Sequence, residues 1–223
     1  ALVGASIGLM FALSLVLSPL LAGWVGLHGL FAITATLALG GIAVVLWWVP
    51  PEPVVHVDQA RGGVLQVLRH PALLRLDFGV FVLHAVQLAM WVALPALLVQ
   101  AGLPREQHWQ VYLPAVLASF FVMGATLFPL EKRGYLRAVF LSAIGLVGLV
   151  QLGLLLASRV APGLWSLGLL LFVFFCGFNV LEASQPSLAS RVAPAASRGA
   201  ALGAYNTLQS LGFFAGRLSL LHI

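Results

Sequence analysis

Charge is scarce in this sequence. Its 223 residues include only 11 lysines and arginines and 6 aspartates and glutamates, so that 8% are charged, against about 25% in a soluble domain. A single cysteine leaves no disulfide framework. The basic side chains do not cluster beside stacking aromatic rings, which argues against nucleic acid as a partner. No metal-ligand motif and no phosphate-binding glycine loop appears. These absences argue against a soluble domain, a nucleic-acid-binding protein and a metalloenzyme.

Apolar residues, in contrast, are abundant and form long runs. Hydrophobic side chains make up 61% of the chain, and the mean hydropathy is +1.07. Most runs reach the ~20 residues that a helix needs to cross the hydrocarbon core of a bilayer. They do not alternate apolar and polar residues as the strands of a membrane barrel do. We therefore predict an all-α membrane protein with seven transmembrane helices, at residues 1–23, 29–49, 78–103, 109–130, 136–158, 163–181 and 199–216.

The basic residues alternate from one connection to the next. Three connections carry eight of them, and the three connections between carry two. The positive-inside rule places the richer connections in the cytoplasm, so the first helix starts inside. The richer connections are 50–77, 131–137 and 182–198, and the poorer ones are 24–28, 104–108 and 159–162.

The longest connection, 50–77, opens with a Pro-Pro-Glu-Pro sequence that cannot continue a helix. Further along, Val64, Leu65, Val67 and Leu68 fall on one side of a short helical segment. This pattern is typical of an amphipathic segment on the cytoplasmic surface of the membrane. A plain linker between two helix bundles explains it equally well.

Small residues recur at intervals of four in the first and last runs. Such spacing lets two helices approach backbone to backbone. At an offset of 194 positions Ser18 matches Gly212, which is typical of the internal repeats of transporters; ordinary helix packing is the alternative. The helix-packing set comprises Ser14, Ser18, Pro19, Gly23, Gly199, Gly203, Gly212 and Gly216.

Glu182 is the acid nearest to a bilayer interior, directly after the sixth run. A carboxylate at that depth is costly and is usually paired or functional. Because the run ends at residue 181, we expect Glu182 at the cytoplasmic end of its helix, beside the loop that holds Glu131, Arg133 and Arg137. We predict that these four form a conformational charge lock, with proton carriage by Glu182 as the alternative.

Two further runs contain polar side chains. His84, Gln87 and Trp91 are spaced by three and four residues and therefore share one helical face. Asn206 and Gln209 lie in the last run. Such groups either line a wet cavity or hydrogen-bond to neighbouring helices. On a wet face, a histidine changes its charge near neutral pH and can couple to protons.

Five stretches occur in an order that is found in a known family. Residues 14–23 resemble a relaxed form of a glycine- and proline-containing fifth-helix motif, and 29–33 resemble the start of a sixth helix. Residues 74–95 resemble a seventh helix, 106–113 the start of an eighth, and 179–209 the passage from a tenth to an eleventh. Together they resemble the major facilitator superfamily, in its drug:proton antiporter branch, along essentially the whole chain.

The resemblance implies a twelve-helix parent fold of which this chain holds helices five to eleven. Residues 1–49 would be the last two helices of the N-terminal bundle. Residues 50–77 would be the cytoplasmic linker between bundles, and 78–223 the C-terminal bundle without its last helix. The chain is thus expected to be a truncated piece.

For function, the resemblance implies proton-coupled export of small organic molecules across a bacterial inner membrane by alternating access. The implied partners are the lipid bilayer, the substrate, protons and the missing N-terminal helices; no cofactor, no metal and no enzymatic activity is implied. Its substrate cavity would be lined by His84, Gln87, Trp91, Asn179, Asn206 and Gln209.

Two alternatives remain at this point. One is an inactive, truncated transporter fragment. The other is a seven-helix receptor or light-driven protein, which the predicted orientation disfavours. Lys132, the one lysine, lies in a loop, so no predicted span offers an amine for a retinal Schiff base.

Overall fold

The protein is described here from a computed structural model that covers residues 2–50, 63–160 and 162–218. Every regular element in these ranges is helical, which confirms the all-α class. Two short 3₁₀ turns precede α4 and α7. The seven α-helices are α1 (Leu2–Trp48), α2 (Val64–Leu68), α3 (Pro71–Gln100), α4 (Trp109–Lys132), α5 (Leu136–Ala157), α6 (Leu164–Val192) and α7 (Arg198–Leu218).

Five helical segments in the described ranges are long and apolar enough to cross a membrane. Helix α7 has sufficient length but is not among them, because Asn206, Gln209 and Arg217 interrupt its apolar character. The five segments are Leu21–Trp48, Pro71–Gln100, Arg105–Lys132, Leu136–Ala157 and Leu164–Val192.

The first two predicted helices, 1–23 and 29–49, are not separated by a loop. They join in α1, which is interrupted only at Gly26, where φ is 65° and ψ is −176°. That backbone conformation favours glycine, since a side chain strains it. The two predicted helices therefore meet at a kink at Gly26, where the predicted connection 24–28 lies.

Helix α6 is the centre of the bundle. It contacts α1, α3, α4, α5 and α7, and just over half of its most apolar stretch is buried, 56%. Its aromatic side chains Phe174, Phe175 and Phe178 pack on one another, with ring centroids 5.5–6.3 Å apart. The segment Leu21–Trp48 of α1 has no buried residue within its apolar stretch.

Helices α3 and α7 make the closest backbone approach. A Cβ atom added at Gly212 would collide with the carbonyl oxygen of Phe81, and one added at Gly216 would collide with that of Ala85. Two of the eight predicted packing residues therefore lie at a backbone-to-backbone contact. Gly23, Gly199 and Gly203 have no neighbouring atom within 4 Å of an added Cβ among the described residues.

The turn after α4 is closed by glycine. Gly134 has φ +83°, and the amides of Gly134 and Tyr135 donate to the carbonyls of Glu131 and Leu130 at 3.0 and 2.9 Å. This pattern is a Schellman motif, which requires a left-handed residue at the position of Gly134. It turns the chain sharply into α5.

The segment predicted to be amphipathic forms the short helix α2. Val67 is buried, whereas Val64, Leu65 and Leu68 are exposed. Residues 51–62 of the connection lie outside the described ranges. The location of α2 on the cytoplasmic surface of the membrane stays a prediction.

Candidate functional site

Three polar side chains from three helices meet inside the bundle. His84 of α3 lies beside Glu182 of α6, with Nε2 and Oε2 3.2 Å apart. The amide nitrogen of Gln209 of α7 lies 2.8 Å from the same His84 Nε2 and 3.4 Å from Glu182 Oε1. The side chains of His84 and Glu182 are only 2% and 19% exposed. We call these three residues the proton cluster.

The imidazole of His84 is held on every side. Its Nδ1 lies 2.9 Å from the carbonyl oxygen of Val80; a carbonyl only accepts, so Nδ1 carries a hydrogen. Phe178 and Phe213 pack edge-on against the ring, with centroids 5.8 and 4.8 Å away. The remaining nitrogen, Nε2, is therefore the atom at which a proton can be gained or lost.

The cluster lies deep within its helices. His84 lies thirteen positions after the first residue of α3, Pro71, and Glu182 lies ten positions before the last residue of α6, Val192. At 1.5 Å per residue these are about 20 and 15 Å. The expectation that Glu182 sits at the end of its helix is wrong, because α6 continues through Glu182 and Pro186 to Val192.

The predicted charge lock is also wrong in its pairing. Glu182 faces His84, not Arg133 or Arg137. Glu131 pairs with Arg191 of α6, with 3.1 Å between Oε1 and the guanidinium nitrogen. The Arg191 side chain is 62% exposed, and an exposed pair contributes little to stability. Helix α6 brings Arg191 to the end of α4, whereas Arg133 and Arg137 lie exposed beyond that end.

The face of α3 that continues beyond His84 leads to an open chamber. Gln87 is buried and its Oε1 has no hydrogen-bond partner in the described ranges. Trp91 packs edge-on against Tyr112 and tilted against Phe175, with centroids 5.0 and 6.1 Å away. Since Phe175 and Phe178 also touch, a row of rings connects the chamber to His84.

The chamber lies between α1, α3 and α4 and has a volume of about 490 Å³. Trp91 is the one predicted cavity residue among those that line it. Its walls are aromatic and polar, and include Ser14, Ser18, Trp91, Glu106, Trp109 and Tyr112. Ser14 and Ser18, predicted for helix packing, thus face this space; the side chain of Pro19 lies outside the described residues.

Asn179 and Asn206 do not line this chamber. Asn179 is buried and donates a 2.8 Å hydrogen bond to Ser119 of α4, so it joins two helices. Asn206 is exposed. Sequence periodicity identifies Asn179 as polar within an apolar helix but gives no sign of its partner.

A second buried polar group lies on the same three helices as the proton cluster. Asp77 of α3 is 4% exposed, and its Oδ2 has no hydrogen-bond partner among the described residues. Tyr205 of α7 donates a 3.3 Å hydrogen bond to Gln185 of α6. In the sequence, Asp77 and Gln185 lie beside apolar runs and Tyr205 lies within one. The sequence gives no sign that the three residues lie close together.

Comparison with known proteins gives two concordant results. The family model described as Major Facilitator Superfamily matches residues 1–216. The chain is 37% identical over 221 residues to "Inner membrane transport protein YajR" of Escherichia coli K12, a match that covers 97% of this chain and 48% of the relative. It is 28% identical to an "Uncharacterized transporter" of Buchnera aphidicola subsp. Acyrthosiphon pisum, covering 97% of this chain and 56% of that protein.

The chain therefore spans about half the length of the curated relatives that it matches. The stretches that suggested a family from sequence also resemble YajR-like transporters in particular, and the 37% identity confirms that likeness.

Proposed function

The chain belongs to the major facilitator superfamily, and on that premise we propose that it serves proton-coupled export of small organic molecules by alternating access. Its relatives are named transporters, and one is named an inner membrane protein; we propose the bacterial inner membrane as its location and transport without catalysis as its activity. Membership in this family contradicts the seven-helix receptor alternative.

The proton cluster is the observation that carries the proposal. An ionisable side chain deep in a membrane bundle is costly and marks an ion or proton pathway by default. His84 and Glu182 share that depth at 3.2 Å, where one proton between them forms an N–H···O bond and its departure removes it.

The size and lining of the chamber support the proposal of an organic substrate. Its volume of about 490 Å³ falls in the range of sites for drug-sized molecules, about 300–1,000 Å³. Aromatic walls from Trp91, Trp109 and Tyr112, with Glu106 at the edge, suit an amphipathic molecule with a flat ring system. Three successive ring contacts, Trp91–Phe175, Phe175–Phe178 and Phe178–His84, link this space to the proton cluster.

We further propose the division of the chain that the family implies. Residues 1–49 contribute to the N-terminal bundle, 50–77 form the cytoplasmic linker, and 78–223 form most of the C-terminal bundle. The chain covers about half the length of its relatives. The test therefore also has to distinguish a fragment that does not transport by itself.

The test uses liposomes, an imposed pH gradient and ethidium as a flat, cationic, fluorescent probe. Two proteins are compared: the chain itself, and the chain fused behind the part of E. coli YajR that it does not match. In whichever protein transports, Glu182→Gln should reduce gradient-driven ethidium movement at least tenfold. Glu131→Gln, which removes an exposed acid, should leave it nearly unchanged.

The outcomes separate the alternatives. Transport by the chain alone contradicts the inactive-fragment alternative, and transport by the fusion only supports it. If gradient-driven ethidium movement is undiminished in Glu182→Gln, the assignment of the proton cluster is overturned.

A further inference from the structure

The proton cluster contains one member that cannot carry a proton, Gln209, and its geometry fixes what that side chain does. With Nδ1 of His84 committed to the carbonyl of Val80, a neutral imidazole offers only a lone pair at Nε2. Gln209 Nε2 lies 2.8 Å from that atom. An amide nitrogen only donates, so this distance is a hydrogen bond from Gln209 to a neutral His84.

The second amide hydrogen of Gln209 has its own acceptor. Glu182 Oε1 lies 3.4 Å from the same nitrogen. The other carboxylate oxygen, Oε2, receives no hydrogen bond in the described ranges although His84 Nε2 is 3.2 Å away. The lone pair of Nε2 is already taken by Gln209, and Oε2 faces it with nothing between them. The cluster is thus arranged for the state that lacks the proton.

When a proton is added at Nε2, that atom changes from a hydrogen-bond acceptor to a donor, so Gln209 can no longer donate to it. The imidazolium donates from both nitrogens, so its Nε2–H can reach Glu182 Oε2, while the amide N–H of Gln209 now meets another N–H at 2.8 Å. Resting on the proposed proton role of His84 and Glu182, we propose that Gln209 is a positioning residue whose amide turns over on protonation, presenting its oxygen to His84 in place of its nitrogen.

The surrounding helices confine this response to the side chain. Gly212 and Gly216 hold the backbone of α7 against the carbonyls of Phe81 and Ala85 on α3, on the same stretch of helix as Gln209 and His84. Helix α7 cannot withdraw there without losing that contact. The amide turns about its own side-chain bonds instead. As a result, protonation changes the group that α7 directs at His84 from an amide nitrogen to an amide oxygen.

The other ionisable groups near the cluster are few. Glu182 faces His84 from α6. Asp77 lies two turns before His84 on α3, and both carboxyl groups act electrostatically on Tyr205 of α7. Phe178 and Phe213 cover the rest of the imidazole with ring edges. Gln209 is therefore the main side chain whose hydrogen bonds change when this pocket is protonated.

Infrared difference spectra of the purified 223-residue chain, recorded between high and low pH, test the inference. Wild type should show the imidazole or carboxyl change of the cluster together with a side-chain amide C=O change, both at one midpoint. Gln209→Met should keep the first and lose the second, and His84→Leu, which removes the nitrogen that Gln209 faces, should lose the amide change. Gln185→Met, which removes a buried amide bonded to Tyr205, is the matched control and should keep both.

Gln209→Asn, too short to reach Nε2, serves as a second variant if Gln209→Met does not fold. An amide band that stays silent while the cluster titrates, or that persists in His84→Leu, overturns this inference alone. A cluster that does not titrate at all overturns the proposed proton role as well.

Discussion

At the scale of single residues, the buried polar side chains divide between ionisable pairs and neutral helix contacts. The difference lies in their partners. Glu182 Oε2 faces a ring nitrogen, His84 Nε2, at 3.2 Å. Asn179 faces a hydroxyl, Ser119, which leaves both groups neutral and satisfied. A polar residue in an apolar run therefore acquires its role from what it meets across the bundle.

The Asn179–Ser119 bond should have a measurable but modest energy. Both side chains are buried, at 8% and 0% exposure, yet hydrogen bonds between membrane helices average ~0.6 kcal/mol in double-mutant cycles and reach ~1.7. Asn179→Ala and Ser119→Ala, alone and combined, should give a coupling energy within that range in detergent unfolding. Strictly additive effects would mean that the two side chains do not interact.

Sequence reasoning identified the members of the proton cluster but not their partnership. His84 and Gln209 stand out as polar groups in apolar runs, yet they lie 125 residues apart, and Glu182 lies 27 residues before Gln209. Periodicity shows which residues share a face of one helix. It does not fix the rotation and axial offset of three helices, which decide that these faces converge.

At the scale of helices, α6 differs most from its prediction. In the sequence the apolar run ends before Glu182, Ser184, Gln185 and Pro186, but the helix continues through them to Val192. It can do so because these side chains point into the bundle, where Glu182 and Gln185 meet His84 and Tyr205. Run length underestimates a helix whenever its polar residues have partners inside.

The α3–α7 contact should be the most sensitive to added volume. Gly212→Leu forces a side chain into the backbone of α3 at Phe81 and should cost about 1–3 kcal/mol, the usual penalty for overpacking. Gly203→Leu, on the same helix but without a neighbour within 4 Å, is the matched control and should leave the thermal midpoint in detergent almost unchanged. Equal midpoints for both variants would show that α7 does not pack on α3 through Gly212.

At the scale of the whole molecule, charge and helix direction agree. The order of the residue pairs across the helix contacts shows that α3, α5 and α7 run one way and α4 and α6 the other. The Glu131–Arg191 pair joins the ends of α4 and α6, so these two ends lie on one side. That side carries the arginine-rich connections, and the positive-inside rule assigns it to the cytoplasm.

Thiol labelling of intact cells checks that orientation. In a Cys176→Ala background, single cysteines at Tyr135 and Ala195 should be shielded from a membrane-impermeant reagent applied outside. Cysteines at Gln107 and Ser158 should react. All four positions are exposed at helix ends, so differences in burial do not explain the pattern. The reverse pattern would invert the topology and remove its agreement with the charge distribution.

The sequence predicts the membrane class and the order of the long helices because both follow from composition over about 20 residues. It places the first two helices on either side of Gly26, as the structure does, but predicts a connection over 24–28 where the structure has a kink at that glycine. Whether a glycine bends a helix or reverses it depends on what the two halves pack against, which composition does not contain.

The row of rings from Tyr112 and Trp91 through Phe175 and Phe178 to His84 has a thermodynamic consequence. Two binding events that displace the same packed side chains share a coupling free energy, and that energy is reciprocal. If a molecule in the chamber moves Trp91 and so shifts the imidazole against Glu182, it changes the proton occupancy of the pair. The proton must then change the affinity of the chamber by the same factor. Where that factor weakens binding, each occupant promotes the release of the other.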